Sequence, residues 1–180
     1  MSETSPPRLN GEPTVAQVTD RPILFLDVDG VISLFRFGQD AAPPGAFHSI
    51  DGILHCIGDR VAERLRRLDG AFELVWATGW EEKASEYLPH LLGLRGELPT
   101  LTFDGRAVFG SAHWKLGAID AYAGDRPAAW IDDFVDDECR SWAERREAPT
   151  LIVEAESAEG LTDEHVEKLL SWAETVAPVG

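Results

Sequence analysis

Long apolar runs, cysteine clusters and positive charge are all scarce in this chain. No stretch approaches the ~20 apolar residues needed to cross a bilayer, which excludes a helical membrane span. The opening segment, MSETSPPRLNGEPTVAQVTD, has no basic start followed by an apolar stretch, so no secretory signal is expected. Two cysteines, Cys56 and Cys139, cannot make a disulfide framework, and no Cys-x-x-Cys pair suggests zinc. The expectation is a cytoplasmic protein with both thiols reduced. Lys and Arg number 16 against 32 Asp and Glu, a formal charge of −16. A field of that sign repels polyanions and offers no counterion release to a duplex, which argues against general duplex nucleic-acid binding. It leaves room for a site that takes one phosphorylated end.

What is present is enough for one domain of ordinary size: 180 residues, 44% of them apolar, can bury a real core. Residues 1–20, rich in Pro, Ser, Thr and Glu, are expected to form a flexible tail, with the domain spanning 21–180. Ile23-Leu24-Phe25-Leu26 is a continuous apolar run of the kind that becomes a buried parallel strand. Phe72 to Ala77 and Ala128 to Ile131 repeat that signature, and Thr150 to Val153 is a fourth candidate. A weak strand is expected near Thr100 to Phe103. Between them, helical spacing marks Asp59 to Leu68, Glu81 to Leu92, Trp114 to Tyr122, Asp136 to Glu147 and Thr162 to Val176. Thr162 is a candidate N-cap, with His165 where a capping box prefers Glu. Ile32 to Ile57, with Pro43-Pro44-Gly45 and Gly52, reads as strand-like flaps around a turn. Alternating strands and helices predict an α/β fold: a mainly parallel sheet covered by helices on both faces.

Three of the predicted strands end in polar groups: Asp27 and Asp29, Thr78, and Asp132 with Asp133. Ligands of open α/β sheets bind beyond the carboxyl ends of the strands, so the topology gathers these groups around one crevice. Clustered carboxylates repel unless a cation or shared protons compensate. Hard oxygen ligands suit Mg²⁺, for which Asp27, Asp29 and Asp133 are placed to compete. Lys115, at a helix start before the third strand, can bring fixed positive charge to the same pocket. A metal with a lysine turns an acidic cleft into a phosphate site.

These residues resemble the haloacid dehalogenase (HAD) superfamily of phosphatases. Asp27-Val28-Asp29-Gly30-Val31 is similar to its first motif, Thr78 after Leu74-Val75-Trp76-Ala77 to the second, Lys115 to the third, and Asp132-Asp133-Phe134-Val135-Asp136-Asp137 to the fourth. The stretches FELVWATGWEEKA, GDRPAAWIDD and GLTDEHVEKLLSWA further resemble the HAD domains of Swiss Army Knife RNA repair proteins. The resemblance implies a Rossmann-like three-layer α/β/α sandwich with a minimal cap or none. It implies that Asp27 attacks phosphorus, forming an aspartyl-phosphate, while Asp29 serves as general acid and then general base. Thr78, Gly79 and Lys115 would bind the phosphoryl oxygens. Mg²⁺ would be held by Asp27, the Val28 carbonyl and Asp133, with Asp132 in support and Asp29 and Asp137 nearby in the ligand set. Receiver domains of phosphorelays use a similar inventory, but there the paired acids precede the phospho-accepting Asp, and motif order here is the reverse.

Each element also has a plainer reading. Asp-x-Asp-Gly and Thr78-Gly79 are turn compositions, and Asp136 or Asp137 would favour a helix N-terminus through its dipole. His113 and Trp114 fit substrate stacking or a packing and capping role. Trp76 reads as core and Trp80 as a pocket residue; His48, His55 and His90 read as structural or exposed. Two functions follow. One is a Mg²⁺-dependent phosphomonoester hydrolase acting on a phosphorylated small molecule, or on the phosphorylated end of a larger one such as a nucleic acid. The other is a catalytically inactive HAD-fold protein that binds phosphate or acts as a scaffold.

Overall fold

The apolar run Ile23–Leu26 forms strand β1, whose four side chains are all buried. It lies inside the main sheet of the computed structural model, which describes residues 21–38, 42–104, 107–108 and 110–177. The tail expected over residues 1–20 lies outside the described residues. Strands β5 (Glu73–Trp76), β6 (Ala128–Asp132) and β7 (Thr150–Glu154) join β1 in the order β5-β1-β6-β7, all pairs parallel. Leu26 pairs with Trp76 on one side and Ile131 on the other, so three strands finish abreast. That register brings Asp27, Thr78 and Asp132 to one edge.

Side chains alternate across the sheet. Leu24, Leu26, Leu74, Trp76 and Ile131 pack against helices α1 (Val61–Asp69), α2 (Glu82–Leu92) and α5 (Asp163–Val176). Ile23, Phe25, Val75 and Trp130 face the opposite layer, which includes α3 (Leu116–Ala123) and α4 (Asp137–Arg145). Period-two alternation within wholly apolar strands is what a sheet buried on both faces requires. The architecture is therefore the expected Rossmann-like three-layer sandwich. In α5 the predicted capping box is complete: Thr162 Oγ1 accepts from the His165 amide at 3.2 Å, and His165 Nδ1 accepts from the Thr162 amide at 3.3 Å.

The segment after β1 builds a small second sheet. Strands β2 (Ser33–Leu34), β3 (Gly45–Ile50) and β4 (Ile53–Gly58) pair antiparallel in the order β2-β4-β3. The β3–β4 hairpin turns at Asp51-Gly52, both in the left-handed region. The expected strand near Thr100 to Phe103 reduces to one parallel bridge, Trp76 to Thr100. Among the described residues no helix is long and apolar enough to cross a membrane.

Candidate active site

The chain leaves β1 at Asp27 and turns sharply. The Val28 carbonyl accepts the backbone N–H groups of Val31, Ile32 and Ser33 at 3.3, 2.8 and 2.9 Å, which closes the loop. The Val28 carbonyl, expected among the metal ligands, is engaged inside the loop, and the residue is fully buried. Asp27 and Asp29 both line the same cleft. Gly30, with φ +75°, makes the bend possible. A Cβ there would stand 2.1 Å from Asp133 Oδ2, so glycine is also what lets Asp133 approach the loop.

Asp27, Asp132 and Asp133 each offer an oxygen, all within 4.8 Å of one another. Lys115 reaches in from the short 3₁₀ turn His113–Lys115, its Nζ 3.0 Å from Asp27 Oδ1 and 2.6 Å from Asp132 Oδ2. The Asp27 Oδ1 also accepts from the Val28 amide at 2.8 Å. Asp132 Oδ1 accepts from the Phe134 amide at 3.0 Å. Asp133 Oδ2 accepts from Ser157 Oγ at 2.6 Å.

Burial is the largest influence on Asp27 and pushes its carboxyl well above the usual range; Lys115 pulls it back and Asp132 adds to the rise. Burial also raises Asp133, against the hydrogen bond from Ser157. For Lys115 burial works to lower the pKa, but Asp27 and Asp132 together outweigh it and hold the ammonium charged. Three carboxylates facing one ammonium leave negative charge uncompensated, which is what a divalent cation with oxygen preference requires. The residues present fit such an ion.

Other predicted positions distribute unevenly. Gly79 lines the cleft, about 430 Å³ in volume, together with Asp27, Asp29, Lys115, Asp132 and Asp133. Thr78 is fully buried, its Oγ1 accepting from the Trp80 amide at 3.3 Å. Asp29 is exposed and outside the three-acid cluster; its Oδ2 accepts from Trp80 Nε1 at 3.0 Å. Trp80 in turn packs edge-on against His55 of the hairpin, ring centroids 4.5 Å apart. Asp137 is also outside the cluster, exposed in the first turn of α4. Its neighbour Asp136 caps that helix, accepting from the Cys139 amide, and binds Ser111 Oγ at 2.5 Å and His113 Nδ1 at 2.8 Å. The helix needs an N-cap in extended conformation, and this fixes which acid stays at the helix start.

Sequence reasoning missed Ser157, Ser111 and Phe35. Ser157 follows β7, next to β6, so the rule that gathered the acids at the strand ends also pointed to it. Ser111 and Phe35 carry no comparable signal. No curated protein matches the chain. The HAD domain family implies a phosphatase-like hydrolase, and its members typically use a divalent metal. With Asp27, Thr78 and Asp132 at the ends of three parallel strands and Lys115 reaching in from a 3₁₀ turn, and with residues 23–166 matching the model of the HAD domain in Swiss Army Knife RNA repair proteins, the chain belongs to that family.

Proposed function

We propose that this protein is a Mg²⁺-dependent phosphomonoester hydrolase that works through an aspartyl-phosphate on Asp27. The observation that carries the reading is the buried Asp27 itself, held on one oxygen by Lys115 and Val28 and grouped with Asp132 and Asp133 at the cleft. A buried carboxylate held in place by two donors at the edge of a cleft is oriented as a nucleophile. Asp27 attacks phosphorus, the bond to the leaving oxygen breaks, and Asp29 gives that oxygen its proton. Asp29, now anionic, takes a proton from water, whose oxygen displaces the Asp27 carboxylate and releases inorganic phosphate. Trp80 Nε1 fixes Asp29 for both steps, and Lys115 offsets charge that develops on the phosphoryl oxygens. Mg²⁺ held by Asp27, Asp133 and Asp132 would supply the charge that lets an anionic carboxylate approach an anionic phosphate.

The cleft, bordered among the described residues by Phe35, Val108, Ser111, Trp114 and Phe134, suits a phosphorylated small molecule or the phosphorylated end of a larger one. Both cysteines are free and buried, in keeping with a reducing cytoplasm. The test is steady-state kinetics on phosphorylated metabolites, on 3′- and 5′-phosphorylated oligonucleotides and on phosphopeptides. Asp27→Asn should abolish turnover of every accepted substrate, and Asp29→Asn should slow it by about 10²–10⁴-fold. Wild-type rates in Asp27→Asn would refute covalent catalysis at this residue and leave a phosphate-binding protein.

A further inference from the structure

Three part-buried aromatic rings, Phe35, Trp114 and Phe134, line the cleft beside the carboxylates. Each has a cationic or aromatic partner. The exposed Arg36 guanidinium lies 5.4 Å from the Phe35 ring centroid and 5.1 Å from that of Phe134, so one cation ties the two rings together. Arg36 holds this position with φ +63°, a left-handed backbone that a residue with a long side chain rarely adopts. Trp114 packs edge-on against Phe103, centroids 4.8 Å apart, and its ring edge lies where a Cβ on Gly79 would touch it at 3.7 Å. The rings are thus held next to the phosphate-binding groups.

Among the described residues these rings have no Asn or Gln beside them. The chain contains one Asn and two Gln, and all three (Asn10, Gln17 and Gln39) lie outside the described residues. Side-chain amides are the usual neutral groups for reading base edges by paired hydrogen bonds. Rings without amides hold a planar ligand by its face, and every base has such a face.

Resting on the hydrolase reading above, we infer that Phe35, Trp114 and Phe134 form a stacking subsite for the organic part of the substrate. The class selected is a small phosphomonoester bearing a planar aromatic ring, a nucleoside monophosphate, held without regard to which base it carries. The charge of −16 favours such a mononucleotide over a long polyanion.

The test compares kcat/KM for adenosine, guanosine, cytidine and uridine 5′-monophosphates with that for ribose 5-phosphate, which has the same leaving oxygen and no ring. Stacking is worth about 1–3 kcal/mol per base, so the nucleotides should be preferred over ribose 5-phosphate by roughly 5–150-fold. The four bases should agree within about three-fold of one another. In Trp114→Ala and in Phe134→Leu, the ratio of nucleotide to ribose 5-phosphate should fall towards one. Equal wild-type rates for nucleotides and ribose 5-phosphate would overturn the subsite, as would a ten-fold preference for a single base. A phosphotyrosine peptide turned over faster than all four nucleotides would overturn the assigned class. If no phosphomonoester is turned over at all, the hydrolase reading fails. The subsite is then judged by calorimetric binding of the same five compounds to the wild-type protein, with the same ratios expected.

Discussion

Removing the Lys115 ammonium would leave Asp27 and Asp132 buried and facing each other without their counter-charge. The lysine side chain is 5% exposed and its two partners 8% and 1%, so water cannot take its place. Breaking a buried ion pair from one side typically costs about 3–5 kcal/mol. Lys115→Met, which keeps the length and loses the charge, should lose that much in urea unfolding with a chelator present. A loss under about 1 kcal/mol would show that the two carboxylates share a proton instead. His113 and Asp136 make a pH-dependent contribution of a different kind. The hydrogen bond to Asp136 raises His113. Burial works to raise Asp136, but hydrogen bonds from Ser111 and His113 prevail and hold it below the usual carboxylate range. The depressed acid stabilises the fold above its ordinary value and loses this as pH falls through the depressed one. The raised histidine stabilises below its ordinary value and loses this as pH rises through the raised one. Both contributions coincide between about pH 4 and 6.5. Asp136→Asn should therefore lower urea stability more at pH 5.5 than at pH 9; equal losses would show that the charge pairing is without effect.

At the scale of elements, the loop from Asp27 to Ser33 is constrained by three amides on the Val28 carbonyl and by Gly30. Gly30→Ala would both strain a φ of +75° and force its Cβ against Asp133, 2.1 Å from Oδ2. Either the loop or Asp133 must move, and a displacement of that size near reacting groups can cost about 10²-fold in rate. A drop of that order in kcat with the fold retained by circular dichroism is expected; unchanged kcat would mean that Asp133 has no part in the reaction. The strands of the main sheet were legible because buried parallel strands read as unbroken apolar runs. The hairpin was legible from Pro43-Pro44-Gly45 and Gly52, and the start of α5 from Thr162 with His165 three residues on. The strand near Thr100 was not: its pattern resembles the others, but only one residue bridges to β5. Which residue starts α4 was equally hidden, since Asp136 and Asp137 differ only in which one takes the cap.

For the whole molecule, charge and metal are coupled. A cation bound by the folded state alone stabilises it by mass action, about 2.7 kcal/mol when its concentration is 100 times its Kd. For a chain of this size that corresponds to a rise in Tm of roughly 5–10 °C. Millimolar Mg²⁺ should produce such a rise in the wild type and little or none in Asp133→Asn; an equal response in both would place the ion elsewhere on the acidic surface. The sequence by itself determined the order of strands and helices along the chain, the two-faced sheet and the grouping of Asp27, Lys115, Asp132 and Asp133, because apolar periodicity and motif order are properties of the chain read locally. Only the tertiary structure decided which atoms of those residues are engaged. The Val28 carbonyl turns into its own loop, Asp137 stays on the helix surface, and Ser157 reaches Asp133 from 24 residues away. A hydrogen bond depends on the positions of two groups that folding brings together, and neither group's local pattern encodes its distant partner.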